Sequence, residues 1–88
     1  MLRIDRATGR RVVFTISGEL DGDNLNELCQ LIDAEPAGDV VVLDLTNLVL
    51  ADRDGVRVLH QYEARGRLVL RHCPAYVRAW MVGEKDRL

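Results

Sequence analysis

A mixed α/β fold in the order ββαβαβα is predicted by three observations. Apolar, β-branched runs alternate with segments whose apolar residues recur at helical spacing, and turn residues separate them. Only the first two strands lack a helix between them, so the later strands are expected to run parallel. Residues 40–45 (VVVLDL) are nearly all apolar, the pattern of a central strand covered on both faces. The expected architecture is a mixed β-sheet with a parallel core and three helices.

Each element has its own signal. Residues 2–5 (LRID) alternate apolar with charged and read as a short strand; residues 7–10 (ATGR) are a turn. Residues 11–17 (RVVFTIS) are β-branched and form a second strand, which Gly18 and Gly22 are expected to break. Asp23 or Asn24 can cap a helix whose Leu25, Leu28, Cys29 and Ile32 share a stripe. A loop at 35–39 (EPAGD) leads into the central strand. Asp52 can cap a second helix with Gly55, Val58, Leu59 and Tyr62 on one side, ended by Arg65-Gly66. Residues 67–71 (RLVLR) are the last strand. Pro74 suits the first turn of a third helix, with Tyr76, Val77, Trp80 and Met81 as its buried side. Were that helix exposed, Tyr76 and Trp80 would serve as an anchor for a partner or a second copy. From Gly83 onward the chain is expected to fray.

Eighty-eight residues make one small domain, 1–88, with no linker or repeat. With 48% hydrophobic and 30% charged residues the composition is globular. A net charge of −2, with arginines scattered along the chain, supplies no field for nucleic acid or an anionic membrane surface. No apolar run is long enough to span a bilayer, and the start of the chain has no signal core. Two cysteines do not make a disulfide scaffold, so a cytoplasmic location is expected.

Two segments carry a family pattern. Residues 16–21 (ISGELD) run from a strand into a loop before a helix. Residues 42–48 (VLDLTNL) are followed by 51–59 (ADRDGVRVL) at a helix start. Together, in this order, they resemble the "GELD" and "LDLT…DSSG" signatures of STAS domains, the family of anti-sigma factor antagonists and their relatives. The resemblance spans nearly the whole chain and implies a STAS-like fold. It also implies a non-enzymatic protein-interaction module without a cofactor, one that binds a kinase-type anti-sigma factor. In that branch, phosphorylation of the second Ser of "DSSG" breaks the complex. The helix N-terminus accommodates the phosphate, and the added charge repels the partner.

At this site the sequence departs from the family. Asp52 matches the leading Asp and Gly55 the closing Gly, but Arg53 replaces the first Ser and Asp54 occupies the phosphoacceptor position. An aspartate cannot accept phosphate from a Ser/Thr kinase. Thr8, Thr15, Ser17 and Thr46 are the only Ser and Thr in the chain, and none stands at that helix start. Asp54 is thus a degenerate phosphosite, carrying one fixed charge that Arg53 beside it partly neutralises. The partner-binding residues that the resemblance implies are Glu19, Asp21, Asp23, Asp52, Arg53, Asp54, Gly55 and Arg57.

Plainer readings stand beside these. Asp52 and Asp54 suit a helix cap and a first-turn acid, each contributing about 0.5–1 kcal/mol. Within the same fold, the alternative is a STAS subunit that docks on the ATPase of a lipid-transport ABC system. From another class, Asp21, Asp23, Asp52 and Asp54 gathered at one end of the sheet would bind Mg²⁺ for phosphoryl chemistry. His60, His72, Cys29 and Cys73 lack metal-ligand spacing, and no oxyanion-hole signal accompanies a Cys–His pair. A homodimer is compatible with any of the binding readings.

Overall fold

Strands β1 (Leu2–Thr8) and β2 (Val12–Leu20) form an antiparallel hairpin. Then follow α1 (Leu25–Asp33), β3 (Val41–Ala51), α2 (Arg53–Ala64), β4 (Leu68–Arg71) and α3 (Ala75–Asp86). The computed structural model describes residues 1–86, with side chains to residue 83. The sheet order is β1-β2-β3-β4, and β3 is parallel to both neighbours. The predicted order and the parallel core are therefore both present.

All three helices share one core with a single face of the sheet. Phe14 and Ile16 of β2, Val41, Leu43 and Leu45 of β3, and Leu68 of β4 meet Leu28 and Ile32 of α1 there. Val56 and Leu59 of α2, and Val77 and Met81 of α3, complete the layer. Among the described residues, no element covers the opposite face. Across it the register sets Ala7, Val13, Val42 and Val69 side by side, and Val69 is 45% exposed. Val42 is buried without joining the helix-side core, sheltered by its neighbours in the sheet. The expectation that β3 is covered on both faces is corrected here: an all-apolar central strand needs only flanking strands to hide its second side.

Three strands run further than their sequence suggests, and the first of them, β1, continues past Asp5 to Thr8 by pairing Arg6, Ala7 and Thr8 with β2 where a turn was expected. β2 continues through Gly18 to Leu20, because Gly18 adopts φ +95° at an irregularity in the β2–β3 register. A Cβ there would also collide with the carbonyl oxygen of Met1. β3 continues past Leu45 to Ala51 by taking up extra residues opposite β2, once between Asp44 and Asn47 and once between Leu48 and Leu50. In the first bulge the Thr46 amide is satisfied by its neighbour. Asp44 Oδ1 accepts from Thr46 N at 2.9 Å and from Thr46 Oγ1 at 2.6 Å.

That pair gives a pH signature. The Thr46 hydroxyl, then its amide, holds the Asp44 carboxyl below its ordinary range. A depressed folded-state value adds stability above the unfolded-state pKa and loses it as pH falls through the folded value. Asp44→Asn is therefore expected to be less stable than the parent by a constant margin near neutral pH. The margin shrinks below about pH 4, where the unfolded carboxyl protonates. Urea titrations of both proteins across that range check it.

The helix stripes fall as predicted with small shifts. Leu25, Leu28 and Ile32 of α1 are buried and Cys29 partly so; on α2 Val56, not Val58, joins Gly55, Leu59 and Tyr62. Trp80 is 46% exposed, so α3 buries Val77 and Met81 but not its tryptophan. α3 runs through Gly83 to Asp86, because one glycine costs a helix about 1 kcal/mol without ending it. Residues 87–88 of the expected tail lie outside the described residues.

Candidate functional site

The C-terminal ends of β2 and β3 deliver two helix starts to one place, and Asp52 fastens them together. As N-cap of α2 its Oδ1 accepts from Gly55 N at 2.8 Å, the expected cap. Its Oδ2 accepts from Gly22 N, in the loop before α1, at 3.1 Å. Its own amide donates to Leu20 O at 3.0 Å. One half-buried carboxylate thus ties the β2–α1 loop to the first turn of α2. Gly55 completes the fit, since a Cβ there would meet Leu20 O at 3.0 Å and Leu20 Cγ at 3.2 Å.

The loop itself is held by Asp21. Its Oδ1 accepts from the amides of Asp23 and Asn24 at 3.0 and 3.2 Å, an Asx turn that leads into α1. Asn24 is the N-cap residue but makes no side-chain cap bond. It folds back instead, accepting from Asp21 N at 2.9 Å and donating through Nδ2 to Glu19 O at 2.9 Å. The expected cap by Asp23 or Asn24 is therefore replaced by a turn that Asp21 closes.

On this frame the charged side chains project outward. Glu19, Asp23, Arg53, Asp54 and Arg57 are exposed, while Asp21 and Asp52 are half-buried. Asp54 stands in the first turn of α2, where the free amides and helix dipole favour a negative charge. Its Oδ1 lies 3.9 Å from Arg57 Nη1, a loose i,i+3 pair. Its Oδ2 lies 3.2 Å from where a Cβ of Gly22 would stand, so it leans over the adjoining loop.

The acids do not come together as a metal site. Among the described residues no group of three or more His, Cys, Asp or Glu is placed to hold an ion. The carboxylates of Asp21 and Asp52 are turned onto backbone amides rather than toward one another. Cys73 does not suit nucleophilic chemistry either, because burial pushes its thiol pKa up.

Sequence reasoning gave less weight to the apolar shoulder beside this surface. Val49 and Leu50, just before Asp52, are 72% and 50% exposed. Tyr76 of α3 reaches the same strand end, its hydroxyl accepting from Ala51 N at 2.8 Å, and it stacks edge-to-face on the exposed Trp80 at 5.9 Å. The signal in the sequence is four apolar residues in a row after Asn47, residues 48–51, which a half-buried strand would not carry.

The family model described as "Mlab, STAS domain" matches residues 5–82. The chain belongs to the STAS domain family. Among solved structures it is similar to the anti-sigma factor antagonist SpoIIAA in its unphosphorylated form, with TM-score 0.66 and 22% identity over 90% of this chain and 79% of that one. It is also similar to a chain described as Mglu (TM-score 0.65, 18% identity), covering 83% of this chain but only 19% of that one. A DUF3478-family protein of SpoIIAA-like fold from Shewanella loihica gives TM-score 0.55 at 14% identity, covering 98% and 78%. At these identities the likeness is one of fold. No curated protein matches the chain in sequence. Among the described residues, no helix is long and apolar enough to cross a membrane.

Proposed function

We propose that the chain is a non-enzymatic regulatory module of the anti-sigma factor antagonist type, acting in the cytoplasm by binding a kinase-type anti-sigma factor. The observation that carries this reading is the Asp52 bridge between Gly22 and Gly55. It makes one rigid surface of the loop bearing Glu19, Asp21 and Asp23 and the helix start bearing Arg53, Asp54 and Arg57. Exposed Trp80 and Leu50 supply the apolar anchor that such surfaces use. Asp54 takes the place of the switchable serine, so its charge is fixed and the module answers to no Ser/Thr kinase at that position. A single carboxylate carries less charge than a phosphate, at about −1 against −1.5 to −2.

A second reading is favoured by the description of the matching family, "Mlab, STAS domain". On it, the same surface docks on the ATPase subunit of a lipid-transport ABC system.

The experiment is affinity capture of the tagged protein from its own cell lysate, with mass spectrometry of what co-elutes. Recovery of a kinase-type anti-sigma factor supports the first reading and recovery of a transporter ATPase the second. Recovery of the chain alone retires both. With a kinase partner in hand, Asp54→Ser is expected to restore the switch: the complex should dissociate on addition of Mg-ATP, while the parent complex persists. A variant complex that withstands Mg-ATP removes the degenerate-switch account.

A further inference from the structure

The sheet ends in two edges, and they are treated differently. β4 is only four residues long and is cut off by His72 at φ 57°, so it offers little ladder to a new strand. β1 has seven residues, contains no proline, and keeps an unbroken register with β2 along its length. Its free side is an open row of backbone donors and acceptors.

The hydrogen-bond parity says which groups those are. Glu19 N donates to Met1 O at 3.2 Å, one step beyond the Leu2–Gly18 pair. Met1, Arg3, Asp5 and Ala7 therefore turn their backbone groups toward β2, and Leu2, Ile4, Arg6 and Thr8 turn theirs outward. Two copies of β1 can pair antiparallel about a two-fold axis only in registers that bring these outward residues together. The axis then passes through Arg3, Ile4, Asp5 or Arg6. Centred on Arg3 or Arg6, like guanidinium groups stand opposite; centred on Asp5, two carboxylates do. Centred on Ile4, Arg3 faces Asp5 of the second copy twice over, and Ile4 meets Ile4.

The geometry points to self-association through β1, a two-fold dimer in this Ile4-centred register whose two sheets join into one of eight strands. Arg3 and Asp5 sit on the open face with side chains 77% and 56% exposed and 3.3 Å apart within one chain. In the dimer they form an alternating four-charge row. On the helix face, half-buried Ile4, at the margin of the core, is covered by its counterpart. Arg6 is held off the axis by its 3.0 Å pair with Glu35. The contact uses none of the residues assigned to the partner surface, so it stands or falls independently of that function.

Light scattering across a concentration series tests it on the full chain. The parent is expected to approach twice the monomer mass. Arg3→Asp and Asp5→Arg should each lose the dimer, because either sets like charges opposite one another. An equimolar mixture of the two variants should regain it, because the two charge patterns are then complementary. A parent that stays monomeric, whether its edge is idle or taken by another protein, overturns the proposal. So does a dimer that both reversals leave intact, or a mixture that does not recover. Should a variant fail to fold, amide exchange on the parent still decides. The Ile4 and Arg6 amides must become protected as concentration rises, and unchanged exchange at both contradicts the dimer.

Discussion

Replacing Arg67 with methionine is expected to lower stability by about 2–4 kcal/mol while leaving partner binding by the folded protein unchanged. Its guanidinium donates to four carbonyls at the end of the molecule away from the Asp52 site. Nη2 reaches Ile32 O at 2.9 Å and Glu35 O at 3.3 Å, and Nη1 reaches Pro36 O at 2.9 Å and Asp39 O at 3.1 Å. The α1 C-terminus and the loop leading to β3 are thus pinned to the start of β4 by one side chain. Charge-assisted bonds contribute about 1.5–3 kcal/mol each, but four bonds to one half-buried group do not add, so the expected loss is well below their sum. Methionine keeps the apolar stem and removes every donor. Lysine is expected to recover less than half of the loss, since a point charge cannot span two pairs of carbonyls as the planar fork does. Urea denaturation reads the change as a lower midpoint with an unchanged slope.

Asp52→Ala is expected to cost about 2–3 kcal/mol and, unlike the Arg67 change, to abolish partner binding as well. The cap to Gly55 N accounts for about 1 kcal/mol of this and the charge-assisted bond to Gly22 N for the remainder. Asp52→Asn separates the two. Its side-chain oxygen still caps the helix, but the NH₂ group that replaces the other oxygen cannot accept from Gly22. The asparagine variant should therefore recover only the cap's share of the stability, about 1 kcal/mol, and still bind weakly, because the loop and the helix start are no longer one surface. Equal binding by parent and Asn variant at matched folded fraction would show that the bridge does not organise the site.

Much of this was legible in the sequence where a local rule decides the outcome. Asp52 caps α2 because an Asp before an apolar-periodic run can reach the third helical amide. Pro74 precedes α3 because its missing N–H costs nothing there. The Leu25, Leu28, Ile32 stripe is fixed by helical spacing. What was not legible depends on partners distant in sequence. The continuation of β3 past Leu45 needs β2 alongside to tolerate bulges, and period-two patterning breaks at each bulge. The bareness of the second sheet face depends on where three helices pack, which no single strand encodes. Asp21, rather than the side chain of Asp23 or Asn24, closes the turn into α1, because side-chain bonds in a short loop compete on near-equal terms. Trp80 shares a helical stripe with Val77 and Met81, yet only the latter two are buried in the core.

The central claim is that the surface fastened by Asp52 is where the partner sits, and hydrogen exchange on the captured complex tests it most directly. The account predicts that amides of residues 19–23 and 53–57 slow on complex formation, with those of the bare sheet face unchanged. Protection confined to β1, β4 or the bare face, with the 53–57 amides exchanging as in the free protein, would contradict it.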